Sequence, residues 1–146
     1  MVDATPIDET ITTAGQVRPE EIPALAAAGF RVVVNNRPDG EDGPMQPTSE
    51  QIREAAEQAG LAYHFIPVTM PTLGPDQVAQ FHAAMAEADG PVFAFCRSGA
   101  RSTLLWALAA VLHDGQPQQD VLRRSATAGR DLSGAAPLFD RFRAAR

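Results

Sequence analysis

The one cysteine of the chain, Cys96, opens the segment Cys96-Arg97-Ser98-Gly99-Ala100-Arg101-Ser102, which runs from a short apolar stretch straight into a long apolar one. A glycine-containing loop at the start of a helix aims several backbone N–H groups at one point, where the helix dipole favours negative charge. Arg101 adds a planar two-pronged donor and Ser102 a hydroxyl. The same field favours a thiolate over a thiol, which arms Cys96 as a nucleophile toward an anionic substrate. A lone cysteine is more often a small buried hydrophobe, but here strand, cysteine, glycine, arginine, serine and apolar helix follow in the order an anion cradle requires.

Composition removes the competing chemistries. All 12 basic residues are arginine, so Schiff-base enzymes, pyridoxal-phosphate enzymes and the lysine-bearing nucleotide loop are excluded. A single cysteine forbids an internal disulfide and any multi-cysteine metal site, and His64, His82 and His113 are too far apart in sequence for a short metal-ligand motif. No metal and no cofactor is therefore expected. The net charge of −6 argues against nucleic acid as a partner. The charge is uneven, with 8 arginines against 4 acids from residue 97 onward, and the arginines between Arg123 and Arg146 read mainly as solvated helix faces. The start of the chain lacks a basic and apolar leader, and the longest apolar run, 104–112, is far short of the ~20 residues that span a bilayer. No membrane partner is expected. A cytoplasmic location is, since a free thiol stays reduced there.

The elements that must position this loop alternate in type. Strands are predicted over 7–13, 30–35, 63–68 and 92–95. A helix starts at Arg18-Pro19 and ends at Gly29, and another is capped by Thr48 and Gln51 and stopped by Gly60. A third opens at Gly74-Pro75-Asp76, a fourth spans 101–113 and is apolar nearly all round, and two more lie near 118–126 and 137–143. With about 150 residues per domain, 1–146 is expected to be a single domain. Buried strands alternating with helices imply an α/β three-layer sandwich, a mostly parallel sheet of four to five strands with helices on both faces. Residues 36–47 form a connection rich in proline, glycine and acid, long enough to be either functional or a solvated excursion.

The cysteine segment resembles the active-site loops of cysteine-dependent phosphatases and of rhodanese-type sulfurtransferases. Four residues separate Cys96 from Arg101, the rhodanese spacing, where the phosphatase loop has five; Phe95 stands where phosphatases commonly have histidine. The rest of the pattern is similar to atypical dual-specificity phosphatases: Thr10-Ile11-Thr12-Thr13-Ala14-Gly15-Gln16, then Gly29-Phe30-Arg31-Val32-Val33-Val34-Asn35-Asn36-Arg37-Pro38, then Tyr63-His64-Phe65-Ile66-Pro67-Val68. Over about residues 7–112 the chain most resembles the bacterial phosphatase-like domain of beta-lactamase-hydrolase-like proteins, some members of which carry the sulfurtransferase label.

That resemblance implies a cysteine-phosphatase-like fold and a hydrolase acting on phosphate monoesters, phosphotyrosine among them, of a small molecule or a phosphoprotein. Cys96 would attack phosphorus, the amides of Arg97, Ser98, Gly99, Ala100 and Arg101 with the Arg101 guanidinium would hold the oxygens, and Ser102 would steady the departing thiolate. The alternatives are sulfur transfer through a Cys96 persulfide, and a silent anion- or phosphopeptide-binding module. Dual-specificity phosphatases have an acidic proton donor where this chain has Thr69 and Met70, which leaves Asp39, Glu41, Asp42 and Asp76 as candidates. The strands 30–35 and 92–95 should run parallel, so the loop after each opens on one edge. Asp39, just past the first of these strands between Pro38 and Gly40, is the favoured acid; Asp76 reads more simply as a first-turn helix acid.

Overall fold

The structure, a computed structural model, describes residues 4–144. Residues 1–3, where no leader was expected, and 145–146, with Arg146 of the basic stretch, lie outside the described residues. In chain order come strand β1 (Thr5–Pro6), strand β2 (Ile11–Ala14), a 3-10 turn Pro19–Glu21, helix α1 (Ile22–Ala27), strand β3 (Val32–Asn35) and helix α2 (Ser49–Gln58). Strand β4 (Ala62–Phe65), helix α3 (Pro75–Glu87), strand β5 (Val92–Phe95), helix α4 (Ala100–Leu112), helix α5 (Gln118–Thr127), a 3-10 turn Ser133–Ala135 and helix α6 (Ala136–Ala144) complete it.

The strands form one five-stranded sheet in the order β1-β2-β5-β3-β4, parallel except for the antiparallel β1. Side chains alternate across it as a two-residue period requires. Val32 and Val34 of β3 and Val92 and Ala94 of β5 join the core under α3, α4, α5 and α6, which includes Val78, Phe81, Leu105, Leu108, Val121 and Phe139. Val33, Phe93 and Phe95 face the opposite core with Ile22 and Leu25 of α1 and Ile52 of α2. The expected sandwich, with helices on both faces of a mostly parallel sheet, is thus observed. Helix α4 is buried from Ser102 to Leu112, Trp106 included, which explains its lack of a polar face. Each fully buried leucine there contributes about 1.5–3 kcal/mol, so the start of α4 is firmly fixed.

Two expected strands end differently. Residues 7–13 are not one strand: Asp8 Oδ1 accepts from both the N–H and the hydroxyl of Thr10 (2.8 and 2.6 Å), and this local turn splits the stretch into β1 and β2. β4 stops at Phe65 because Pro67 has no N–H to donate, yet Ile66 and Val68 N–H still reach Asn35 O and Asn36 O (2.9 and 3.0 Å). The Thr48–Gln51 capping box forms as expected, with Gln51 N–H donating to Thr48 Oγ1 (3.2 Å) and Thr48 N–H to Gln51 Oε1 (2.9 Å). Asp76 lies in the first turn of α3, and His82 reaches Asp114 (2.9 Å) while stacking on His113. Among the described residues no helix is long and apolar enough to cross a membrane.

Candidate active site

β5 delivers Cys96 to the carboxyl edge of the sheet, and the turn from Arg97 to Gly99 hands the chain to α4. Gly99 precedes the first residue of α4 with φ of +93°, the left-handed region that glycine alone enters without strain. That conformation turns Gly99 N–H back onto the cysteine, 3.1 Å from Cys96 Sγ. Cys96 itself is fully buried at the floor of the loop, whereas Arg97, Ser98 and Ala100 are exposed.

Arg101 is held from outside the loop. Its Nη1 donates to Glu41 Oε2 (2.7 Å) and to the carbonyl of Val68 (2.8 Å), and Nη2 donates to Glu41 Oε1 (2.7 Å). A guanidinium has N–H groups on three edges, and these bonds take the end and one side. The remaining edge, Nε–H with the second hydrogen of Nη2, is the parallel fork that grips two oxygens of one anion. Glu41 and, after it, the Cys96 sulfur raise the Arg101 pKa, so the fork stays charged.

Glu41 also accepts from Nε of Arg37 (2.9 Å), a guanidinium almost wholly buried beside Gln16, to which Nη1 donates at 3.2 Å. The hydrogen bonds from Arg101 first, then Arg37, hold the Glu41 carboxyl down at about 2. Bonded to both guanidinium groups, the Glu41 carboxylate braces Arg101. Its folded-state value lies below the ordinary 4.5, so the stability it contributes is full above 4.5 and disappears as pH falls toward about 2. The stability difference between wild type and Glu41→Gln, followed by denaturant unfolding, is expected to be constant near neutrality and to shrink across that window. A difference that grows on acidification would contradict the pairing.

The loop after β3 does open beside the cysteine loop, as the parallel strands imply. Of its acids it is Glu41 that reaches Arg101. Asp39, the expected proton donor, accepts the N–H of Ser49 with its Oδ1 (2.7 Å), which fastens the loop to the first residue of α2. An N–H at a helix start has no intrahelical acceptor, and the nearest carboxylate takes it.

Ser102 is likewise engaged. Asn36 Nδ2 donates to Ile66 O (2.9 Å), so Asn36 Oδ1 faces Ser102, whose hydroxyl must donate to it (2.7 Å). Cys96 Sγ accepts from Gly99 N–H (3.1 Å) and also interacts with the Arg101 side chain.

Four contributors were not picked out from sequence. Arg37 and Asn36 were seen only as parts of a strand end and loop, although an Asn-Arg pair directly after a buried strand was a usable signal. The Val68 carbonyl is main chain and carries no side-chain signature, and Arg130, whose Nη1 donates to Ser98 O (3.0 Å), lies 32 residues from that partner.

Beside Arg101 a cavity of about 430 Å³ is walled by Thr69, Met70, Ala100, Leu104 and Leu132 with Glu41. Met70 is 51% exposed and gives this cavity an apolar wall. A larger opening, about 640 Å³, lies between Pro6 and α5 and is lined by neither the cysteine nor its loop. Among the described residues no three His, Cys, Asp or Glu side chains are grouped to hold a metal ion.

Comparison with known proteins agrees with this architecture. A beta-lactamase hydrolase-like protein of Agrobacterium fabrum is 41% identical over 142 residues, 97% of this chain. The match takes in only 33% of that relative, so the chain spans about a third of the length of the curated relatives it matches. A candidate phosphatase of Neisseria meningitidis Z2491, known from a crystal structure, superposes over all of both chains at a TM-score of 0.79 and 30% identity. Tk-PTP in its active form superposes at 0.73 over 95% of this chain and 94% of its own, at 16% identity, which speaks for the fold alone. Residues 3–113 match the family described as beta-lactamase hydrolase-like protein, phosphatase-like domain, and the chain belongs to that family.

Proposed function

We propose that the chain is a cysteine-dependent phosphatase that hydrolyses phosphate monoesters. The observation that carries this reading is the disposition of Arg101: braced by Glu41 and Val68 O, it keeps its two-donor edge for an anion over the loop that holds Cys96. In the first step the Cys96 thiolate forms an S–P bond while the ester P–O bond breaks, and the leaving oxygen takes a proton and departs as the alcohol. The Arg101 fork and the loop amides from Arg97 to Arg101 meet the three equatorial oxygens, whose charge shifts as the phosphoryl group transfers. In the second step water attacks phosphorus, inorganic phosphate leaves and the thiolate returns. With Asp39 at α2 and Glu41 ionised, the first leaving group draws its proton from solvent.

The apolar wall of Met70, Leu104 and Leu132 supports an aromatic group on the ester, phosphotyrosine or an aryl phosphate of a small molecule. We further propose that 1–146 acts as one phosphatase-like domain, working in the cytoplasm, where Cys96 stays reduced.

One observation favours a second reading. Cys96 is fully buried, and only four residues separate it from Arg101, a tighter cradle that suits a single sulfur better than a phosphoryl group. There Cys96 would take the outer sulfur of thiosulfate, releasing sulfite, and pass it from the persulfide to a thiol or cyanide.

A paired assay of the purified protein decides. The expected result is release of nitrophenol and phosphate from p-nitrophenyl phosphate, with thiocyanate from thiosulfate and cyanide at background. The reverse pattern would replace the first reading by the second. Silence in both, with phosphate or a phosphopeptide still bound, would leave an anion-binding module.

A further inference from the structure

Arg130 follows α5, 34 residues beyond Cys96, and its guanidinium lies against the back of the cysteine loop. Its backbone is pinned: Arg130 N–H donates to Ser125 O (2.8 Å), and the Ser125 hydroxyl donates to Arg130 O. From there the side chain spans two segments. Nη1 donates to Ser98 O (3.0 Å), Nη2 to Thr13 O (3.1 Å) and Nε to Thr13 Oγ1 (3.2 Å), so the loop is tied to the end of β2.

The Ser98 carbonyl belongs to the same peptide unit as Gly99 N–H. In a trans peptide these two groups point in opposite directions, so a donor that fixes the carbonyl also aims the N–H. That N–H is the one 3.1 Å from Cys96 Sγ. The guanidinium charge on the carbonyl also polarises the peptide and strengthens its donor.

The other side of Gly99 is secured by a directed chain. Thr103 donates to Gly99 O (2.8 Å), so the 2.7 Å contact between Thr13 and Thr103 hydroxyls must run from Thr13, which itself accepts from Arg130. The fit leaves no room for a side chain: a Cβ on Gly99 would stand 2.4 Å from Arg130 Nη2.

We propose that Arg130 is a positioning residue for Cys96, holding the Ser98–Gly99 peptide so that its N–H stabilises the reactive sulfur. This rests on Cys96 being the reactive group and not on which of the two reactions it performs.

The test is the pH profile of Cys96 alkylation by iodoacetamide in the whole chain. The midpoint of that profile reads the thiol–thiolate balance and is independent of how open the loop is. In Arg130→Ala the midpoint is expected to move upward by about one pH unit, a tenfold change in that balance. With whichever substrate the wild type turns over, kcat is expected to fall about tenfold or more while KM changes little, as for loss of a donor that acts on the reacting group.

Phe139→Leu, in the core of α6, serves as the control: a lowered melting temperature with an unmoved midpoint. Should Arg130→Ala fail to fold, Arg130→Lys takes its place, because an ammonium cannot span Ser98 O and both Thr13 acceptors. An unmoved midpoint in the folded variant, or an equal shift in Phe139→Leu, would overturn the assignment. A shifted midpoint in a chain that catalyses neither reaction would uphold it while removing the functional reading.

Discussion

Cys96→Ser is expected to lose roughly four orders of magnitude of turnover, the scale on which removal of a covalent nucleophile leaves only binding and oxyanion stabilisation. A serine oxygen in the same place is a neutral hydroxyl and a far weaker nucleophile than a thiolate. The variant should still bind tungstate within about threefold of wild type, because the fork and the loop amides are untouched and ground-state binding is separate from the chemical step. Purified variant and wild type, compared with p-nitrophenyl phosphate and by calorimetric titration of tungstate, give both numbers. Activity within tenfold of wild type would place the nucleophile elsewhere.

Arg101→Lys is expected to be nearly as damaging, with kcat about 100-fold lower or worse, as for loss of one transition-state donor. The guanidinium serves three partners at once, two oxygens of Glu41 and the Val68 carbonyl, and still keeps two parallel donors. An ammonium cannot divide itself in this way. The Glu41 carboxylate, ionised and close, would draw the ammonium toward itself and away from the incoming anion. Steady-state kinetics on the folded variant check this, and kcat within about twofold of wild type would show that fork geometry is irrelevant.

How much of this was legible in the sequence follows from what each feature depends on. The runs Val32–Asn35 and Val92–Phe95 are strands because they are apolar on both faces, and burial on both faces is a property of the residues themselves. The cysteine loop was legible for a related reason: every part of it lies within seven consecutive residues. From those two strands running parallel, it also followed that the loop after β3 would open beside the cysteine.

Which acid of that loop would face Arg101 was not legible. Asp39 and Glu41 differ by two residues, and the choice is made by Gly40 (φ +73°), by Gly43 (φ +84°) and by the Ser49 N–H that captures Asp39. Local preference could not see a donor ten residues on. The split of the first expected strand has a similar cause, since Asp8 offered Thr10 a hydrogen bond that a threonine- and isoleucine-rich pattern does not reveal. Arg130 was the least accessible of all, an ordinary Gly-Arg after a helix whose partners lie 32 and 117 residues away.

Asn36 ties several elements of the molecule together. It is wholly buried; its N–H goes to Phe95 O at the end of β5, its carbonyl receives Val68 N–H beyond β4, and its side chain joins Ile66 O to the Ser102 hydroxyl of α4. One amide side chain and its own peptide groups thus bridge three strand ends and the first turn of the central helix. The corner around Cys96 is therefore tied directly to the sheet. It cannot soften to admit a bulkier ligand without loosening the sheet, and adaptation to new substrates is left to the outer wall at Met70, which is half exposed.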